Sequence, residues 1–157
     1  MVAESEEMPY NDFAKQLLRK HESRRLKVYD DADGLPIVPG KLVKGHPTIG
    51  WGRCLDTKGI NVYEADDLFE NDFIEAEATI VDIFGIPILS ESKERLGALI
   101  SMAYNLGDRG FRGFVKMINA IRRRSWEEVA SQAKDSKWYT QVGIRGREIV
   151  KLLKEGK

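Results

Sequence analysis

Apolar positions recur along the chain at two different spacings. Phe13, Leu17, Leu18 and His21 fall three to four residues apart, which predicts a helix capped by Asn11 or Asp12 and ending near Glu22 and Ser23. From Leu26 to Leu55 the texture changes. Gly34, Pro36, Pro39, Gly40, Gly45 and Pro47 punctuate short β-prone pieces such as Leu35–Val38 and Thr48–Trp51, predicting a small sheet of hairpins. Phe69, Phe73, Ile80 and Phe84 then mark one face of a long helix that starts near Val62 or Tyr63 and stops at Gly85-Ile86-Pro87. Leu96, Leu99, Ile100 and Ala103 predict the next helix, capped by Ser90 and broken at Asn105-Leu106-Gly107. Phe114, Met117, Ile118 and Ile121 carry another. Ser125-Trp126-Glu127-Glu128 reads as a capping box that opens a helix. Trp138-Tyr139 sits on a further turn, and the last helix covers Arg145 to Leu153.

These elements make an α+β chain with one domain over residues 1–157. It comprises a polar N-terminal tail (1–10), a small β-bearing lobe (24–60), a connecting long helix (61–84) and a helical lobe (11–23 with 85–157). No internal repeat or low-complexity linker interrupts it.

Composition narrows the functional class. With 157 residues, 42% hydrophobic and 32% charged, the chain suits one folded domain. The net charge is zero but unevenly spread. Residues 1–100 carry 12 basic against 19 acidic side chains, and residues 101–157 carry 13 against 6. Glu64 to Asp82 holds eight acids and no base, while Arg122-Arg123-Arg124 is the densest basic run. Both read as solvated helix faces; the alternative is a basic C-terminal third facing a polyanion such as a bacterial wall or nucleic acid. Cys54 is the only cysteine, which excludes an intramolecular disulfide. With two histidines, His21 and His46, a zinc site built from Cys and His is not expected. The acidic N-terminus lacks the apolar segment of a secretory signal, and no run of about 18 apolar residues exists to span a membrane. The expectation is a soluble protein made in the cytoplasm.

The candidate chemistry lies in two carboxyls nine residues apart, Glu22 and Asp31, followed by Thr48-Ile49-Gly50-Trp51-Gly52. Glu22 falls at the C-terminal end of its helix, where the exposed carbonyls disfavour a carboxylate and favour the protonated acid. Partial burial would act in the same direction. Asp30 and Asp31 share a turn, where aspartate commonly caps local amides; in an extended segment they would face opposite ways. Cleavage of a glycosidic bond needs two carboxyls in different settings, one acting as acid and one ionised. A surface glutamate and a turn aspartate are the structural alternatives. Thr48 needs no special explanation in a strand, though glycines alternating after it suit close approach by a ligand. His46 reads as an exposed loop residue, Cys54 as a small buried apolar group. Tyr104, Trp126, Trp138 and Tyr139 are chiefly core candidates, and Tyr104, beside the helix break, is placed to stack on a sugar.

In its order, the segment His21-Glu22, eight residues, Asp31, then Thr48-Ile-Gly-Trp-Gly52 resembles the phage-type lysozymes (endolysins), the glycoside hydrolase family that includes the T-even phage enzyme. Ala65-Asp-Asp-Leu-Phe-Glu-Asn-Asp72, Ala98 to Gly107, Ser125-Trp-Glu-Glu128 and Ser136 to Gln141 with Arg145 are similar to later motifs of that family. The likeness covers roughly residues 12–155. It implies a lysozyme-like fold with an active-site cleft between a β lobe and a helical lobe. It further implies hydrolysis of the β-1,4 bonds between N-acetylmuramic acid and N-acetylglucosamine in peptidoglycan, with inversion, for host cell lysis. By position, Glu22 matches the acid, Asp31 the second carboxylate and Thr48 the water-positioning hydroxyl. Arg145 matches the arginine that packs against the glutamate, while Tyr104 and Cys54 match sugar-contacting positions. The resemblance implies no cofactor and no metal. It implies peptidoglycan as the partner, no nucleic acid, no stable membrane association, a monomer, and a holin-type lesion giving access to the wall or periplasm. A lytic transglycosylase and a non-catalytic wall-binding protein are the alternatives. The chain departs from the T-even pattern by eleven extra residues between Asp31 and Thr48. This insert, around Leu35–His46, is expected to lengthen a hairpin, leave Glu22 and Asp31 untouched and make the pairing of Thr48 less certain. Arg53 also stands where the T-even enzyme has histidine.

Overall fold

A computed structural model describes residues 10–157; the expected polar tail falls almost entirely on residues outside that range. A first helix, α1 (Tyr10–His21), is followed by a three-stranded antiparallel sheet of β1 (Arg25–Asp30), β2 (Pro47–Gly50) and β3 (Arg53–Cys54) in the order β1-β2-β3. Then come α2 (Val62–Phe84), a 3₁₀ turn (Ile86–Ser90), α3 (Lys93–Arg112), α4 (Val115–Arg122), α5 (Trp126–Lys134), α6 (Lys137–Val142) and α7 (Ile144–Glu155). This is the expected α+β fold. The described residues divide into two compact units, the first ending at Glu64 and the second beginning at Ala65. None of the described helices is long and apolar enough to cross a membrane.

The two units are stabilised by different physics. Every buried apolar residue among those described lies in the second unit. There Ile80, Leu99, Met102, Phe111, Met117, Val129 and Leu153 are completely or almost completely shielded and form one cluster with Trp138 and Ile149. In the first unit the buried residues are polar, Asp30 and Thr48. The apolar stripe of α1 stays exposed at Phe13, Leu17 and Leu18. A three-stranded sheet with no fully buried apolar residue among those described relies on satisfied polar contacts, since a buried charge without partners is strongly destabilising.

Helix ends show where local sequence signals compete. α1 already includes Asn11 and Asp12, so neither is its N-cap. Asn61 caps α2: its Oδ1 accepts from Glu64 N at 3.0 Å, and Glu64 Oε2 accepts from Asn61 N at 2.9 Å. That reciprocal pair is a capping box. The box expected at Ser125–Glu128 is not formed, although Ser125 is the N-cap residue of α5. Glu128 is taken instead by the Arg123 guanidinium, at 2.8 and 3.0 Å. Ser92, not Ser90, caps α3; Ser90 donates to the Pro87 carbonyl within the 3₁₀ turn. The break expected at Asn105–Gly107 is present as a kink inside α3, where Gly107 takes φ 69° and ψ 168°. In the basic run, Arg123 pairs with Glu128 and Arg124 with Glu91, so two of those three cations are already matched locally.

Candidate active site

The sheet of the first unit is built around Thr48. Its strand, β2, is central, and Thr48 pairs with Tyr29 of β1 and with Cys54 of β3. Directly paired residues of an antiparallel ladder point to the same face, so Tyr29, Thr48 and Cys54 line one surface. Thr48 is 4% exposed, and its hydroxyl donates to the His46 carbonyl at 3.1 Å. The register of β1 on β2 shifts between Arg25 and Tyr29. The expected piece Leu35–Val38 does not become a strand; it contributes one bridge, Pro36 to Tyr29, and backbone bonds Asp30 N to Leu35 O and Ile37 N to Val28 O.

Asp30 organises the loop beyond β1. Its carboxylate is wholly buried and accepts the backbone N–H groups of Lys44 at 2.7 Å, Gly45 at 2.9 Å and Ala32 at 3.1 Å. The bond from Lys44 above all, joined by those from Ala32 and Gly45 and by the Lys41 charge, holds this carboxyl below the usual carboxylate range against the opposing effect of burial. Asp33 is lowered by its ion pair with Lys41 at 2.9 Å.

Asp31 is exposed in the turn that follows. Its Oδ1 accepts from His46 N at 2.6 Å, and its own N–H donates to the His46 carbonyl at 3.2 Å. A Cβ on Gly45 would collide with that same Oδ1 and stand 2.8 Å from Ala32 N; the carboxylate therefore reaches His46 only because Gly45 has no side chain. The insert does not leave Asp31 untouched. Its final residues, Lys44 to His46, bind both aspartates through the backbone and deliver Thr48 into register, so His46 serves Asp31 with its N–H and Thr48 with its carbonyl.

Glu22 immediately follows α1, and its N–H closes on the Leu18 carbonyl at 2.8 Å. It is exposed, where the sequence suggested partial burial. Its carboxyl lies against the backbone of Gly52, in the turn between β2 and β3. A Cβ on Gly52 would be 2.9 Å from Oε2 and 3.2 Å from Cδ, and φ is +79° there. Nearby, the Arg19 guanidinium stands 5.9 Å from the Trp51 ring centre. Arg53 donates to Glu64 and to the Gly59 carbonyl, tying β3 to the start of α2.

The first unit thus carries four of the sequence-derived candidates: Glu22, Asp31, Thr48 and Cys54. The second carries Tyr104 and Arg145. Tyr104 is 39% exposed and its ring centre lies 5.9 Å from that of Phe69. Together with Phe73, Ile100, Ser101 and Arg145 they border a cavity of about 250 Å³. Arg145 donates to Ser101 Oγ at 3.1 Å. Trp138 is buried, its Nε1 donating to Asn105 Oδ1 at 2.8 Å. Cys54 is not a buried apolar group: half-buried, it donates to Asp56 Oδ1 at 2.8 Å. Asp30, Gly45 and Gly52 were not singled out as site residues in the sequence. Their signals, an aspartate doublet and glycines beside His46 and Trp51, acquire meaning only when strands distant in sequence are paired.

Comparison with known proteins places the chain in a family. The family model for phage lysozyme matches residues 19–154. Probable T4-type lysozyme 2 of Dictyostelium discoideum is 26% identical over 163 residues, covering 90% of this chain and 94% of that protein. The pre-baseplate central spike protein Gp5 of Enterobacteria phage T4 is 27% identical over 157 residues, 90% of this chain but 27% of that protein. The peptidoglycan hydrolase gp36 of Pseudomonas phage phiKMV is 27% identical over 136 residues, 87% of this chain and 14% of that protein. The chain therefore spans only a minor part of these two phage relatives. A match over most of its length, on a fold of the expected kind, shows that the chain belongs to the phage lysozyme family.

Proposed function

We propose that this protein is a peptidoglycan hydrolase, an N-acetylmuramidase that cleaves the β-1,4 bond between N-acetylmuramic acid and N-acetylglucosamine with inversion, acting on the wall in bacterial host lysis. The observation that carries the reading is the link between Asp31 and Thr48 through a single residue, His46, with the Glu22 carboxyl set on the Gly52 backbone. Glu22 protonates the departing glycosidic oxygen. Asp31, ionised, faces the cationic centre that develops at the anomeric carbon and, with the Thr48 hydroxyl, holds the attacking water. Water takes the place of the leaving group, and its proton passes to Asp31. Inversion calls for carboxyls about 6.5–9.5 Å apart, leaving room for that water. By position in the family, Arg145 is assigned support of the acid, and Tyr104 and Cys54 contact with the sugar chain. Host lysis further requires a route to the wall, for which a holin-type lesion is the proposed means.

The test is clearing of bacterial walls in a zymogram by wild type and by Glu22→Gln. The amide cannot donate the proton, so clearing falls by a factor of at least about 10². Undiminished clearing by the variant removes Glu22 from the role of acid.

A further inference from the structure

We propose that His46, Cys54 and Asp56 form a binding site for a thiophilic divalent metal ion, of which zinc is the natural candidate. The antiparallel register brings them together. Thr48 pairs with Cys54 and Ile49 with Arg53, and Leu55 N donates to the Pro47 carbonyl at 2.7 Å. The same register sets His46 opposite Asp56. His46 and Asp56 lie just beyond the ends of β2 and β3, and their side chains meet there, Nδ1 to Oδ2 at 2.9 Å. The imidazole Nδ1, the thiol Sγ and a carboxylate oxygen lie within 4.8 Å of one another.

The bonding pattern within the cluster argues against nucleophilic chemistry. In a cysteine nucleophile's triad the imidazole stands between thiol and carboxylate, where it can take the thiol proton. Here the carboxylate is in the middle: Asp56 Oδ1 accepts from Cys54 Sγ at 2.8 Å, and Oδ2 meets His46 Nδ1 at 2.9 Å. Two protons therefore bridge four heteroatoms of three residues, and one dication can replace them. Tetrahedral coordination by sulfur, nitrogen and oxygen at about 2.0–2.3 Å sets the ligands roughly 3.3–3.7 Å apart. The hydrogen-bonded pairs, at 2.8 and 2.9 Å, need to open by about 0.5–0.8 Å, and ligand atoms standing up to 4.8 Å apart need to close by about 1 Å, to accept it. His46 and Asp56 are exposed and Cys54 half-buried, leaving a fourth position for water. Thiolate with imidazole selects zinc or cobalt over magnesium and calcium. Binding releases two protons to solvent, that of the thiol and the Nδ1 proton of the imidazolium, and leaves a neutral imidazole with its one remaining proton on Nε2. The count of cysteines and histidines argued against a zinc site built from Cys and His alone; the proposed site takes a carboxylate as its third ligand.

The experiment is anaerobic titration of the reduced 157-residue chain with cobalt(II) chloride, followed in the near-ultraviolet and visible, then displacement by zinc chloride. The expected result is one equivalent bound with a thiolate-to-cobalt charge-transfer band, lost in Cys54→Ser. Affinity in His46→Ala and Asp56→Asn should fall by at least the roughly 10–100-fold that removal of an outer-shell partner costs. Circular dichroism of each variant establishes that it is folded. Absence of the band in wild type overturns the proposal. So does a band of undiminished affinity in both His46→Ala and Asp56→Asn, because a lone thiol would then be the ligand.

Discussion

Replacing Gly52 by alanine separates two effects that usually arrive together: backbone strain and displacement of the carboxyl proposed as the acid. Gly50 and Gly52 both occupy the left-handed region, at φ +69° and +79°. A side chain at either position costs about 1–2 kcal/mol of strain. Against a typical domain stability of about 5–15 kcal/mol, that leaves the protein folded at room temperature. Their surroundings differ. A Cβ at residue 50 meets nothing within 4 Å, whereas at residue 52 it stands 2.9 Å from Glu22 Oε2. The far end of a flexible side chain gives way cheaply, so Gly52→Ala should be no less stable than Gly50→Ala by more than about 0.5 kcal/mol. Its carboxyl, however, must retreat by a few tenths of an ångström or swing to another rotamer. A misplacement of about 1 Å can cost 10²-fold in rate. The expected outcome is a kcat about 10–100-fold lower in Gly52→Ala with similar KM, and a kcat within about threefold of wild type in Gly50→Ala. Urea unfolding and turbidity loss of wall suspensions, read on the same preparations, make the comparison. Parallel loss of activity in both variants would mean that strain alone matters, and the account of Gly52 as the seat of the acid would fail.

Three further predictions concern the different ways in which the units are stabilised. Asp30→Asn sets an amide NH₂ among three backbone donors, so the segment that delivers Asp31 and Thr48 loosens and activity falls roughly 10–100-fold; emission of Trp51, the first unit's only tryptophan, reports the change. Because the folded-state carboxyl is held low, its contribution is complete above the unfolded value of about 3.9 and is lost as pH falls through the lower folded value. An acid titration should therefore show a Trp51 transition below about pH 4 in wild type that is weakened in Asp30→Asn. In the second unit, Phe111 is wholly buried; Phe111→Ala costs about 3–5 kcal/mol, read as a calorimetric Tm lower by roughly 6–20 °C.

What the sequence made legible follows from the range of each interaction. The long helix, its stop at Gly85-Ile86-Pro87 and the kink at Gly107 depend on neighbours within a turn, and all three are present where the pattern put them. Caps were harder to read because a side chain has rivals. Glu128 fits a box with Ser125 but finds Arg123, while Asn61 and Glu64 form the box that went unnoticed. The β segment was legible as a class and not in detail. Leu35–Val38 has strand composition, yet only Pro36 bridges to β1, since the three bonds of Asp30 define this loop. Those bonds span up to fifteen residues, and no local pattern announces them. The same distance concealed the part of the insert in seating Asp31, and the meeting of His46 with Asp56. Glu22, Asp31 and Thr48 were readable as a candidate set through the family resemblance that their order carries; that one histidine backbone joins the latter two was not.

The most direct test of the central claim is the mass and anomeric configuration of the first products released from purified peptidoglycan. Proton NMR of the fresh digest, read before mutarotation, is paired with mass spectrometry of the same fragments. Hydrolysis through Glu22, Asp31 and a water held with Thr48 predicts reducing-end N-acetylmuramic acid of inverted, α configuration and full hydrated mass. Retained β product would make Asp31 a nucleophile and leave Thr48 without its role, and an anhydro end one water lighter would replace hydrolysis by transglycosylation.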